Sequence, residues 1–272
     1  MKAPSYASTP AIFAILFLVT IFVACADTDR TAETDTPPTS DHVEDDSCDV
    51  HWSYQGDTGP EKWADLSPCF AACAAASQSP IDLTGAAASD LERLEPGYQT
   101  APGTPENTGH HIQVPVAGGT LTIGKDRYAL REFHFHTPAE HVIEGKTAEA
   151  EIHLIHADAD ERIAVLGLFV ERGAANAFMT TLAPHLPGQE RAGTRVDLRL
   201  TDLLPDNLAY FTYDGSLTTP PCSQGLRWIV LKTPVTFSDE QLALLKSYFP
   251  EGNARPAQPL QGRTIYVSQG GV

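Results

Sequence analysis

Strict alternation of side-chain character in two stretches constrains this chain more than any other feature. Glu132-Phe133-His134-Phe135-His136 puts both histidines on one face of an extended strand and both phenylalanines on the other. Glu149-Ala150-Glu151-Ile152-His153-Leu154-Ile155-His156 alternates likewise, setting Glu149, Glu151 and His153 against Ile152 and Leu154. A period of two reads as strand, not helix. Further short apolar runs broken by Gly and Pro follow the same habit: residues 111–116 (HIQVPV), 120–124 (TLTIG), 162–170 (RIAVLGLFV) and 227–232 (RWIVLK). Only Ala174 to Leu186 and Ser238 to Phe249 look helical, the second opening on Ser238 with Gln241 three residues later, the spacing of a capping box. Many strands, few helices and no regular strand-helix alternation predict a mainly β (α+β) fold, with a large central, mostly antiparallel twisted sheet and helices at its periphery.

The alternation also carries chemistry. His134 and His136 point together from one strand, and His153 can join them from a neighbour. Three neutral imidazoles with no fourth protein ligand form the donor set of a catalytic zinc site, which keeps one position open. Any one of these histidines alone would read as a half-buried strand residue.

The 272 residues suit one large catalytic domain, residues 48–272, once an export region is set aside. Ala11 to Ala24 is an apolar run too short to span a bilayer as a mature helix, and it follows the basic Lys2, so residues 1–24 read as a signal peptide. The run ends at Val23-Ala24-Cys25, which resembles a bacterial lipoprotein junction and makes Cys25 a candidate for lipidation and membrane attachment. Residues 25–47 read as a disordered acidic tether: eight acids (Asp27, Asp29, Glu33, Asp35, Asp41, Glu44, Asp45, Asp46) face Arg30 alone. They account for seven of the negative charges in a formal net charge of -17, a field that argues against nucleic acid as a partner. A small or neutral substrate is expected instead, and the sequence leaves the oligomeric state open, a dimer included. Cys48, Cys69, Cys73 and Cys222 remain as an even number in an exported domain, at the periplasm or cell surface, which suggests disulfides in one of three connectivities.

Further motifs give the pattern a family. His51-Trp52-Ser53-Tyr54, Gln78-Ser79-Pro80-Ile81-Asp82-Leu83, both histidine strands, Ser216-Leu217-Thr218-Thr219-Pro220-Pro221 and Arg255-Pro256-Ala257-Gln258-Pro259-Leu260 occur in that order. Together they make residues 48–272 resemble the alpha-class carbonic anhydrases, zinc enzymes in which a metal-bound hydroxide attacks carbon dioxide to give bicarbonate and a proton. The resemblance assigns roles position by position. His134, His136 and His153 match the zinc ligands, and Glu151 matches the acid behind the third. Thr218 matches the threonine that orients the hydroxide, Glu140 the carboxylate that takes the threonine's proton, and Thr219 a bicarbonate contact. Ile155, Val165, Leu217, Leu226 and Trp228 match the apolar wall that receives carbon dioxide. His110 matches the proton-shuttle histidine, with Tyr54 and Gln113 along the proton path. His111, on a segment read as extended, should point to the opposite face.

Glu132 is the one departure, because the family commonly has Gln there. A carboxylate would still accept from His134, more strongly. The resemblance also implies a Cys73–Cys222 disulfide, with Cys48–Cys69 as the second pair. A catalytically dead relative that kept the fold should lack a ligand or the Thr218 and Glu140 pair, and this chain has them all. A zinc esterase would need a wider cleft.

Overall fold

The computed structural model describes residues 48–188 and 191–269, so the residues read as a signal peptide (1–24), Cys25 and the acidic segment fall outside the described residues. The strands are β1 (Ala87–Ser89), β2 (Leu94–Pro96), β3 (Thr100–Gly103), β4 (Glu106–Asn107), β5 (Ile112–Pro115), β6 (Thr120–Ile123), β7 (Asp126–His136), β8 (Ala150–Ala157), β9 (Ile163–Arg172), β10 (Val196–Arg199), β11 (Tyr210–Ser216), β12 (Gln224–Leu231), β13 (Val235–Phe237) and β14 (Tyr266–Ser268). The helices are α1 (Trp63–Leu66), α2 (Ala177–Leu182) and α3 (Asp239–Tyr248), with short 3-10 turns between strands.

Twelve strands form one sheet whose main path runs β1-β14-β11-β12-β9-β8-β7-β5-β4. Its centre is antiparallel from β5 through β7 and β8 to β9. The sheet is mixed rather than purely antiparallel, because β12 and β13 pair with β9, and β1 with β14, in parallel. β3 and β10 pair separately.

Both faces of β7 and β8 are covered where the histidines lie, so alternation here sorts side chains between two buried environments rather than between core and water. Phe133, Phe135, Ile152 and Leu154 pack beneath α2 and α3 with Phe178, Met179, Leu182, Leu242 and Leu245. Each such side chain contributes about 1.5–3 kcal/mol of burial. The opposite face holds the histidines and a second apolar cluster that includes Val165, Leu226 and Trp228.

The helices follow their local signals. Ser238 caps α3 as expected, its hydroxyl accepting from the Gln241 amide while the Gln241 side chain accepts from the Ser238 amide. α2 is shorter than the helical pattern: Asn176 caps it by accepting from the Phe178 and Met179 amides, and Pro184 turns the chain into a 3-10 turn. Two disulfides, Cys48–Cys69 and Cys73–Cys222, staple the 3-10 turn Pro68–Ala74 to the start of the described chain and to the loop after β11.

Candidate metal centre

Strand register builds the centre. His134 on β7 lies directly across from His153 on β8, with Gln113 of β5 on the other side of His134. His136, two residues on, returns to the same face. The three rings sit within 5.2 Å of one another, centroid to centroid. One nitrogen from each falls within 4.8 Å of the other two.

The remaining nitrogen of each ring is tied down. His134 Nδ1 donates to the Glu132 carboxylate (3.0 Å), His136 Nδ1 to the Asn253 carbonyl (2.8 Å) and His153 Nε2 to Glu151 (3.0 Å). This leaves Nε2 of His134, Nε2 of His136 and Nδ1 of His153 as lone-pair donors, and His136 Nε2 is buried without a protein partner. Burial lowers all three imidazole pKa values, His134 and His153 to about 4, and so keeps them neutral as a metal requires. The donor set therefore fits zinc.

Glu151 is a buried carboxylate with its oxygens fully engaged. It accepts from His153, from His141 Nδ1 (2.7 Å) and from the backbone amides of Glu140 and His141. Burial opposes its charge, yet His141 and His153, by charge and by hydrogen bond, hold its pKa well below the usual range. Gly167 faces it across β9, where a Cβ would come within 3.1 Å of Glu151 Oε1. Beyond His141 the bonds continue through Tyr213 (2.7 Å) to Ser79 (2.9 Å), whose hydroxyl also accepts the Ser216 amide. The third ligand is thus connected to the strand that leads into Thr218. His141, Tyr213 and Ser79 have no site role in the sequence reading; Ser79 stands only within the family motif at residues 78–83, and Glu140-His141 sets two titratable groups side by side.

Glu140 is fully buried and accepts the Arg255 amide (2.8 Å). Burial and the nearby Glu151 charge push its pKa well up, while the Arg255 amide and the nearby Thr218 hydroxyl pull the other way; its Oε2 is buried without a hydrogen-bond partner in the protein. Thr219 is half-buried in the following turn, where its carbonyl accepts the Cys222 amide. Val165, Leu226 and Trp228 are buried, with Ile155 and Leu217 packed against them, and the Trp228 ring lies 4.8 Å from His153. The apolar wall therefore adjoins the triad.

The opposite wall corrects one expectation. Residues 108–111 form a turn rather than an extended segment: the Asn107 side chain accepts the Gly109 amide, Thr108 Oγ1 accepts the amides of His110 and His111, and Gly109 takes a positive φ of 84°. Alternation does not apply there. His111 consequently packs on the metal side, its ring 4.6 Å from that of His134 and bonded to Gln113 (3.2 Å), while the His110 ring lies tilted against Trp52, centroids 3.7 Å apart. The Tyr54 hydroxyl is buried without a protein partner, and burial raises its pKa well up. Glu132 is pushed up to about 7 by burial, against the pull of His111 and His153.

Three neutral imidazoles on one face of a large mixed sheet, each with its second nitrogen anchored, define a three-histidine metalloenzyme centre beside an apolar wall. A family model for eukaryotic-type carbonic anhydrases matches residues 58–269. A carbonic anhydrase from Pectobacterium carotovorum is 40% identical over 220 residues, covering 79% of this chain and 90% of its own length. The alpha-carbonic anhydrase of Thermovibrio ammonificans, solved with the inhibitor sulfanilamide, has a TM-score of 0.75 at 40% identity and covers 80% of this chain and 99% of its own. Dioscorin DB3L of Dioscorea polystachya is 34% identical over 81% of this chain and 86% of its own length. The chain belongs to the eukaryotic-type, or alpha, carbonic anhydrase family, and its reaction is the reversible hydration of carbon dioxide to bicarbonate and a proton.

Proposed function

We propose that this carbonic anhydrase holds Zn²⁺ on His134, His136 and His153 and works with Thr218, Glu140 and His110 in the roles the family pattern gives them. The observation that carries the reading is the anchoring of the three rings, which leaves one neutral lone pair on each, with one nitrogen of each ring within 4.8 Å of the other two. Zinc supplies there a Lewis acid that makes hydroxide available near neutral pH.

The protein's own groups do the rest. Thr218 accepts a hydrogen bond from the attacking oxygen and donates its own hydroxyl hydrogen bond to Glu140, an arrangement that aims an oxygen lone pair at the substrate carbon. Val165, Leu217, Leu226, Trp228 and Ile155 offer carbon dioxide, a molecule without net charge, a dry surface. Thr219 contacts the product. His110 carries the proton out past Tyr54 and Gln113, since an acid of pKa about 7 loses its proton to bare water only about 10³ times per second.

The two disulfides suit an oxidising compartment, so we place the enzyme outside the cytoplasm, at the periplasm or cell surface. No helix among the described residues is long and apolar enough to cross a membrane. Lipidation at Cys25 would attach it, and mass spectrometry of the native N-terminus tests this: a lipid-free start at another residue sinks it.

Stopped-flow carbon dioxide hydration, with and without a zinc chelator, tests the function. Activity that vanishes on chelation and returns with added zinc is expected. Hydration that survives complete removal of metal would overturn the assignment.

A further inference from the structure

Asn253 lies in the loop after α3, with no exposed surface, and each of its polar atoms is used. Its backbone amide donates to the Thr137 carbonyl (3.0 Å), and its backbone carbonyl accepts from His136 Nδ1 (2.8 Å). The side chain does something separate. Oδ1 accepts the Thr137 amide (2.7 Å), while Nδ2 donates both to the Phe135 carbonyl (3.0 Å) and to the His110 carbonyl (3.1 Å). One buried amide thus joins the metal-bearing end of β7 to the turn that presents His110. The loop is shaped for this: Gly252 takes a positive φ of 84°, and a Cβ there would come within 3.0 Å of the Thr137 carbonyl.

We propose that the Asn253 side chain is a positioning residue for proton exit, fixing the backbone of His110 at a set distance from the metal. Trp52 lies tilted against the His110 ring and limits its orientation, but the ring keeps a set distance from the centre only on a backbone that does not wander. The turn at residues 108–111 is closed mainly on itself, through Asn107 and Thr108. Asn253 ties it instead to the residue preceding ligand His136. Only a primary amide supplies two donors and an acceptor in this geometry. Aspartate keeps the acceptor for Thr137 and turns oxygen toward the two carbonyls; alanine removes all three bonds. The inference rests on His110 being the proton exit.

The test compares the zinc-loaded wild type with Asn253→Asp, Asn253→Ala and His110→Ala. Both substitutions keep the backbone carbonyl that anchors His136, so the Asn253 variants should retain one zinc per chain, while kcat in dilute buffer falls roughly tenfold further than kcat/KM, the order of effect expected from a slightly misplaced group. Imidazole should restore the lost kcat. Amide hydrogen exchange at residues 108–111 should quicken. A parallel fall in kcat and kcat/KM without imidazole rescue, or an unchanged kcat beside a slowed His110→Ala enzyme, would overturn the proposal. If His110→Ala itself keeps full turnover, the proton-exit reading fails separately, and exchange at residues 108–111 then decides whether Asn253 holds the turn: faster exchange upholds the tie and an unchanged rate refutes it. Should Asn253→Ala not fold, Asn253→Asp carries the same arms.

Discussion

At the scale of the residue, the nitrogen that each histidine keeps free decides its chemistry. His153 Nε2 is spent on Glu151, so only Nδ1 can face the metal. A His153→Ala protein should therefore lose zinc affinity by orders of magnitude and all hydration activity; full zinc occupancy by elemental analysis would contradict the centre. Glu132 offers a finer test. Its carboxyl, pushed up to about 7, accepts from His134 most strongly when ionised and raises electron density on the metal. Glu132→Gln should leave the midpoint of the kcat/KM pH profile unchanged or move it down by less than about one unit; an upward move would show the reasoning to be wrong. A His110→Ala enzyme should be slow in dilute buffer and recover with imidazole. The triad was legible because a period of two is a geometric instruction. His111 was not, because the turn at Gly109 breaks that period just before the metal wall.

Elements were readable where a local signal was complete. Ser238 and Gln241 announced α3 and form both bonds of the capping box. Ser238→Ala should cost about 1 kcal/mol in denaturant unfolding with little effect on activity. The parallel pairing of β12 and β13 with β9 left no such mark, since direction is set by long connections rather than by the side chains of either strand. Nor did the relay from Glu151 through His141 and Tyr213 to Ser79, whose members lie far apart in sequence. Gly215 shows how tightly that relay is packed: an added Cβ would meet Ser79 Oγ at 2.2 Å and the rings of Trp228 and Tyr213 at 2.8 Å. Gly215→Ala should destabilise by about 1–3 kcal/mol and lower kcat/KM, because the displaced Ser79 also receives the Ser216 amide ahead of Thr218.

The whole molecule carries its acid sensitivity in buried neutral histidines. His156 is fully buried on the side of the sheet away from the metal, bonded to the Tyr98 hydroxyl (2.8 Å), and burial lowers its pKa to about 4. In the unfolded chain it protonates near pH 6.5. Below that pH the unfolded state binds a proton the folded state refuses, so this group's contribution is intact above about 6.5 and lost as pH falls toward about 4, up to about 3 kcal/mol in all. Replacing it in a His156→Gln protein should flatten the stability profile between those two pH values; an unchanged slope in urea titrations would exclude His156 as the cause. Both disulfides converge on the seven-residue turn Pro68–Ala74, through Cys69 and Cys73. A pull applied to the chain ahead of Cys48 would pass across the first sulfur bridge into that turn and on through Cys73 to Cys222. The stretch between Cys48 and Cys69, with Trp52, Tyr54 and Trp63, would stay slack. Grafted to a bead or membrane by that end, the enzyme would feel shear in its staples and not in the aromatic seat of His110.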